Sequence, residues 1–207
     1  MKGKFITFEG CEGVGKSHQI KRLIEYLNNN KVDFYFTREP GGTSISEQIR
    51  KIILDGNNTA MTDECEALLY ASARAQLVKE EILPRLNNGQ LVICDRYIDS
   101  SFAYQSYARG LDMQFVESIN QVAIKNCLPT LTLFLDLPPI EAFKRKGGAD
   151  NTDRVELSGI DFHNKVYNGY CSLAEKYSDR IVKIDASGTR EQTHSKIINV
   201  LKDKGII

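Results

Sequence analysis

A chain of 207 residues that is 42% hydrophobic and 26% charged has the composition of one globular domain, 1–207, able to bury a core without disulfide or metal staples. Its 27 Lys and Arg offset 27 Asp and Glu, leaving no basic excess to drive binding to nucleic acid or a membrane surface. Cys11, Cys65, Cys94, Cys127 and Cys171 lack CxxC or Cys/His spacing, and no run reaches the roughly 18 apolar residues that span a bilayer; a reducing, cytoplasmic setting is expected.

In chain order, Lys4–Glu9 reads as a strand, Lys16–Asn29 as a helix, Phe34–Thr37 as a strand, and Ser44–Leu54 and Asp63–Leu86 as helices. Leu91–Asp95 is the third strand, followed by helices over Ile98–Ala108 and Asp112–Lys125. Thr130–Asp136 and Arg180–Ile184 complete the strands, with helices over Pro139–Lys146, Gly159–Tyr177 and Arg190–Lys204. Strands alternating with amphipathic helices, several of them continuous apolar runs, predict an α/β fold with a five-stranded parallel sheet flanked by helices. Pro84 is expected to kink or end its helix. Lys144–Glu156, with Gly147 and Gly148 among alternating charges, reads as either a plain surface loop or a short lid.

The strongest motif is Gly10-Cys11-Glu12-Gly13-Val14-Gly15-Lys16-Ser17, a full G-x-x-x-x-G-K-[ST] match between a strand and a helix. The glycines let backbone N–H groups converge on phosphate oxygens, and the helix adds its positive end. Lys16 suits the β- and γ-phosphates of a nucleoside triphosphate, and the Ser17 hydroxyl suits Mg²⁺. Asp95, ending an apolar strand beside the loop, is the second candidate Mg²⁺ ligand. The motif by itself specifies no second substrate.

Arg38 and Arg96 leave strand ends on the same carboxyl edge as the loop, where open α/β sheets bind ligands. Planar guanidinium groups there suit an acceptor phosphate. Tyr70 and Arg74 are four apart on one helix, and Ser101, Tyr104 and Gln105 fall at i, i+3 and i+4, so each set can line a pocket.

Three blocks carry a resemblance over nearly the whole chain: Phe8-Glu9-Gly10-Cys11-Glu12-Gly13-Val14-Gly15-Lys16-Ser17, Thr37-Arg38-Glu39-Pro40-Gly41-Gly42-Thr43, and Asp95-Arg96-Tyr97 running through Ser100-Ser101 to Ala103-Tyr104-Gln105. In these the sequence resembles the thymidylate kinases of the P-loop nucleoside-monophosphate kinase group. The resemblance implies transfer of phosphate from ATP to dTMP, in dTTP biosynthesis, by a Mg²⁺-dependent homodimer. It places Arg38 and Arg96 on the dTMP phosphate, Arg74 on the thymine ring, and Tyr70 where the family stacks a phenylalanine on the base. Ser101 and Gln105 match positions that read the thymine edge, and Tyr104 the one that crowds the sugar 2′ position. Where some members carry an arginine after the loop's acidic residue, this chain has Gly13, which implies bacterial-type basic groups from the lid: Arg154, in Asp153-Arg154-Val155-Glu156, and Arg145, whose roles the lid glycines leave exchangeable. Glu12 is expected near the metal or acceptor. His18 departs from the family's small hydroxyl residue, and Asp185–Thr189 is either an adenine-side loop or an ordinary turn. Cys11 reads first as a small filler of the cradle; the alternative is a thiol whose pKa the helix N-terminus lowers, which ATP would protect from alkylation.

Overall fold

Successive side chains of a strand point to opposite faces of its sheet, so a strand buried at every position needs cover on both sides. β1 (Phe5–Glu9) is such a strand, and β3 (Leu91–Asp95) and β4 (Leu131–Asp136) differ only in their half-buried terminal aspartates. In the computed structural model, which describes residues 2–146, 155 and 158–207, these three form the centre of a parallel sheet. β2 (Phe34–Arg38) and β5 (Ile181–Asp185) are the more exposed edges, in the order β2-β3-β1-β4-β5. The expected five-stranded parallel α/β sheet is therefore present, each strand within one residue of its expected bounds.

Helices α1 (Lys16–Asn29), α8 (Gly159–Lys176) and α9 (Arg190–Asp203) pack on strands, and α2 (Ser44–Leu54), α6 (Met113–Ile124) and α7 (Pro139–Lys146) pack on other helices. α1 packs on α9, and α2 and α6 pack on α3 (Asp63–Leu77). Among the described residues no helix is long and apolar enough to cross a membrane.

Two segments depart from expectation. The helix from Asp63 ends at Asn87, close after Pro84 as expected, but its path there is not regular: α3 widens into a π turn over Val78–Ile82 and continues as α4 (Leu83–Asn87), with the proline in its first turn. A wide turn has room for a ring that clashes in a regular α-helix interior, and loses little from the missing N–H. Likewise α5 (Ile98–Ser101) runs into a π-helix over Phe102–Ala108. α7 has its expected bounds, so Lys144, Arg145 and Lys146, which the lid reading shared with it, form its last turn. Of the remaining lid, Gly147, Gly148, Asp153, Arg154 and Glu156 lie outside the described residues, and Val155 is buried.

The register aligns the carboxyl ends of the strands. Arg38 pairs with Asp95, Phe8 with Asp95, and Asp136 with Asp185. From β1 the chain crosses toward β2, and from β4 it crosses the other way to β5, so the carboxyl edge opens between β1 and β4. A buried network ties α5 to the sheet. The Arg180 guanidinium donates to both Asp99 oxygens at 2.6 and 2.8 Å, and Thr132 Oγ1, in contact with Thr7 Oγ1 at 2.8 Å, donates to Asp99 at 3.0 Å.

Candidate active site

The loop between β1 and α1 turns at Gly10, Gly13 and Gly15, with φ of 140°, 77° and 94°. Left-handed backbone is what these glycines permit. At Gly13 the approach is also close, since a Cβ there would lie 3.0 Å from the Ala142 carbonyl oxygen of α7. Side chains of Thr43, Thr62, Asp112 and Thr189 cap α2, α3, α6 and α9, the last in a capping box with Gln192. α1 starts at Gly15 with no side-chain cap and no acidic residue in its first turn, leaving its N–H groups for an anion.

Lys16 lies over this loop, buried, donating from Nζ to the carbonyl oxygens of Gly10 and Cys11 at 3.1 and 3.0 Å. Burial, and next the charge of Arg96, lowers its pKa. Of the two readings of Cys11, the small filler fits and the reactive thiol does not. Its side chain is buried beneath the loop, and burial pushes the thiol up to about 12 despite the helix N-terminus and Lys16, so it is no reactive thiolate near neutral pH.

Arg96 follows β3 with a positive φ of 67°. Its Nη1 donates to Gly10 O at 3.1 Å and to Ser100 Oγ and Tyr170 OH at 3.3 Å, its Nη2 pairs with Glu12, and its guanidinium lies 5.2 Å from the Tyr104 ring centroid. Beneath it, the buried Glu9 carboxylate accepts from Tyr97 N at 2.7 Å, Ser100 Oγ at 2.6 Å and Tyr170 OH at 2.8 Å. Two of the hydroxyls that hold Arg96 are thus held in turn by Glu9.

Two cavities meet at the loop. The first, of about 260 Å³, is lined by Arg38, Tyr70, Arg74, Asp95, Arg96, Ser101, Tyr104 and Gln105, which brings the expected acceptor residues together. The π-helix keeps Tyr104 and Gln105 beside Ser101, where the spacing predicts an α-helix. The second, of about 940 Å³, is bounded by Gly13–Gln19, Arg145 and the Ala186–Arg190 turn. Glu12, Lys16 and Ser17 line both. The turn after β5 therefore faces the loop, and Arg145 reaches it, donating to the Ala186 carbonyl oxygen at 2.6 Å and to that of Ser187.

Arg74 differs from a side chain free to meet a ligand. Nε donates to Glu39 at 2.8 Å, Nη1 to Ser101 Oγ at 2.9 Å and Asn120 Oδ1 at 2.5 Å, and Nη2 to Tyr97 O at 3.0 Å, while Nη2 also lies 2.6 Å from the Glu39 carboxylate as an ion pair. Four hydrogen bonds and the Glu39 ion pair engage the guanidinium, and both Nη1 hydrogens have partners, so a ligand carbonyl met by Nη1 has to share a hydrogen already in use. Arg38, by contrast, is half exposed and pairs with Glu47 at 2.9 Å.

Residues not singled out from sequence also line the first cavity, notably Glu39 and Arg50. Arg50 is four residues before Leu54, another lining residue, but a lone arginine on a helix carries no sign separating it from a surface ion pair. Glu39 lies within the Thr37–Thr43 block beside Arg38, the one signal that could have found it.

The thymidylate kinase family model matches residues 8–197. The chain belongs to the thymidylate kinase family. It is 46% identical over 202 residues, 98% of each chain, to the thymidylate kinase of Thermoanaerobacter sp. (strain X514). It is 46% identical over 203 residues to that of Clostridium novyi (strain NT), covering 97% of this chain and 99% of the relative. Over 206 residues, 99% of each chain, it is 44% identical to that of Bacillus thuringiensis (strain Al Hakam).

Proposed function

We propose that the chain transfers the γ-phosphoryl group of ATP to dTMP, giving dTDP and ADP for dTTP synthesis. The observation that carries this reading is the meeting of two cavities at Glu12, Lys16 and Ser17, one walled by the phosphate loop and the other by arginines, an aromatic ring and hydrogen-bonding side chains. Family membership supplies the substrates.

ATP lies in the larger cavity, its phosphates on Gly10, Cys11, Glu12, Gly13, Val14, Gly15, Lys16 and Ser17 and its adenine toward Ala186–Arg190, where Arg145 offers a guanidinium. dTMP lies in the smaller one. Arg38 and Arg96 hold its phosphate, Tyr70 stacks on the base, and Ser101 and Gln105 meet the base edge. Arg74 reaches the ring by sharing an Nη1 hydrogen, and Tyr104 crowds the sugar 2′ position. A phosphate oxygen of dTMP attacks the γ-phosphorus as the bond to the β–γ bridging oxygen breaks, and ADP departs with that electron pair. The attacking oxygen is already anionic, so no strong base is needed. Lys16, Arg96 and the lid arginine Arg154 stabilise charge on the transferring group. The Glu12–Arg96 pair keeps a carboxylate tolerable beside phosphates.

Mg²⁺ fits the donor set. Asp95 Oδ1 is buried without a hydrogen-bond partner, Ser17 is exposed beside it in the same cavity, and no cluster of three metal-ligating side chains exists among the described residues. A hard cation that takes one or two protein oxygens and completes its shell with phosphate and water matches this. When bound it neutralises charge on the β- and γ-phosphates. A cytoplasmic homodimer completes the proposal. Leu68 on α3 and Val122 on α6, helices that pack together, are 48% and 88% exposed, apolar surface that a second copy would cover.

A coupled ADP-release assay with Mg²⁺-ATP and, in parallel, dTMP, dUMP, thymidine, dCMP, dGMP and AMP tests the reading. Turnover led by dTMP is expected, falling by about 100-fold or more in Lys16→Ala. Preference for thymidine or AMP would overturn it.

A further inference from the structure

The amide of Gln105 presents two faces of opposite hydrogen-bonding character, and which one meets a ligand decides what the ligand must be. Its Nε2 donates to Glu66 Oε1 at 3.0 Å, while its Oε1 takes no hydrogen bond among the described residues. Gln105 is 3% exposed and lines the acceptor cavity beside Arg74, Tyr70 and Ser101. Glu66 lies outside the residues lining that cavity, on α3, at 1% exposure. An ionised carboxylate only accepts, so the –NH₂ end of the amide is the end that can face it.

Glu66 is itself fixed. Arg109 donates to it from Nε at 3.3 Å and Nη2 at 3.1 Å, pairs with Asp63 at 3.3 Å, and lies 4.6 Å from the Phe162 ring centroid. Arg109 keeps its charge at any ordinary pH, which holds Glu66 in its acceptor form. From α3 and from the turn after the π-helix, the fold thus fixes the orientation of an amide whose free end is a carbonyl oxygen.

We propose that Glu66 is a positioning residue that locks the Gln105 amide with its carbonyl oxygen toward the acceptor, so that the pocket selects a pyrimidine imide N–H over a pyrimidine ring nitrogen that accepts. This rests on the reading of the smaller cavity as the monophosphate site and deepens it. Thymine and uracil carry an N–H at ring position 3, whereas cytosine carries an acceptor there, which would face the Gln105 oxygen lone pair to lone pair. A buried site built for one donor leaves polar groups unpaired with the wrong ring, which is the costly kind of mismatch. Methyl recognition is a separate matter, so dUMP is not excluded by this device.

The test is steady-state kinetics with dTMP, dUMP and dCMP in the wild type, Glu66→Gln, Glu66→Asp and the double variant Glu66→Gln/Gln105→Glu. In Glu66→Gln the neighbour also donates, the amide can turn, and the dCMP-to-dTMP ratio of kcat/KM is expected to rise about tenfold, mainly through a higher dTMP KM. Glu66→Asp keeps the Arg109 pair but loses reach, and gives the same shift if Glu66→Gln does not fold. In the double variant the amide now at position 66 donates to the carboxylate now at position 105, which again turns an accepting oxygen to the base, and dTMP selectivity is expected to return. Equal losses for dTMP and dCMP, or no recovery in the double variant, would overturn the role of Glu66 and leave the kinase reading standing. A wild type that prefers dCMP would overturn both.

Discussion

Glu9 sits where a carboxylate is least welcome, inside the central strand, yet it organises the acceptor arginine above it. Burial, and after it the charge of Asp99, raises its pKa from an ordinary 4.5 to about 7. Between those values the folded chain binds the proton more tightly than the unfolded chain, so this group's stabilisation is present at the low end and lost as pH rises through the window. Glu9→Gln does not titrate. The melting temperature of the wild type relative to Glu9→Gln is therefore expected to fall as pH rises from 4.5 to 7; a difference that rises with pH would contradict the assignment. Most residues around the acceptor cavity were legible because each belongs to a block of several chemically apt side chains, as Arg38 and Arg96 do. Glu66 and Asn120 were not. They act on Gln105 and Arg74 from other helices, and such partnerships, 39 and 46 residues apart, leave no local pattern.

Among the elements, the phosphate loop and α7 meet in a close junction. Gly13 combines a φ of 77° with a Cβ position 3.0 Å from Ala142 O, so Gly13→Ala meets both backbone strain and a backbone neighbour. Strain of about 1–3 kcal/mol converts to roughly a 5- to 150-fold rise in the KM for ATP, with that for dTMP expected near the wild-type value. Titrating each substrate at saturation of the other measures this, and a rise confined to dTMP would refute it. Strands were legible to within a residue because continuous apolar runs have few alternatives in a chain of alternating helices. The two π segments were not, since a turn widened by one residue alters hydrogen bonding but barely disturbs hydrophobic spacing. Pro84 showed where the helix had to adjust or end, though not that the adjustment would be a π turn.

For the molecule as a whole, the parallel sheet puts every strand's carboxyl end on one edge, and both cavities open there. This much followed from chain order, because an alternating strand–helix pattern leaves few other arrangements. Association is a property no periodicity reveals. If the α3–α6 face meets a second copy, Leu68→Glu/Val122→Glu is expected to halve the mass seen by sedimentation equilibrium at micromolar concentration. An unchanged dimer would place the interface elsewhere, and a monomeric wild type would remove it.

Arg96 answers two demands that pull in opposite directions. A backbone at φ 67° favours glycine or asparagine, while the oxygens of Gly10, Glu12, Ser100 and Tyr170 call for a long planar fork with several donors. Glycine relaxes the turn and leaves four acceptors without their cation. Lysine keeps a charge but not the fork, and still bears the cost of the turn. No single codon change improves one requirement without failing the other, so the position has no neutral neighbours through which the sequence can drift. A library randomised at this one position and selected for thymidylate-dependent growth is expected to return arginine alone, and an inhibitor anchored on Arg96 would meet escape elsewhere first.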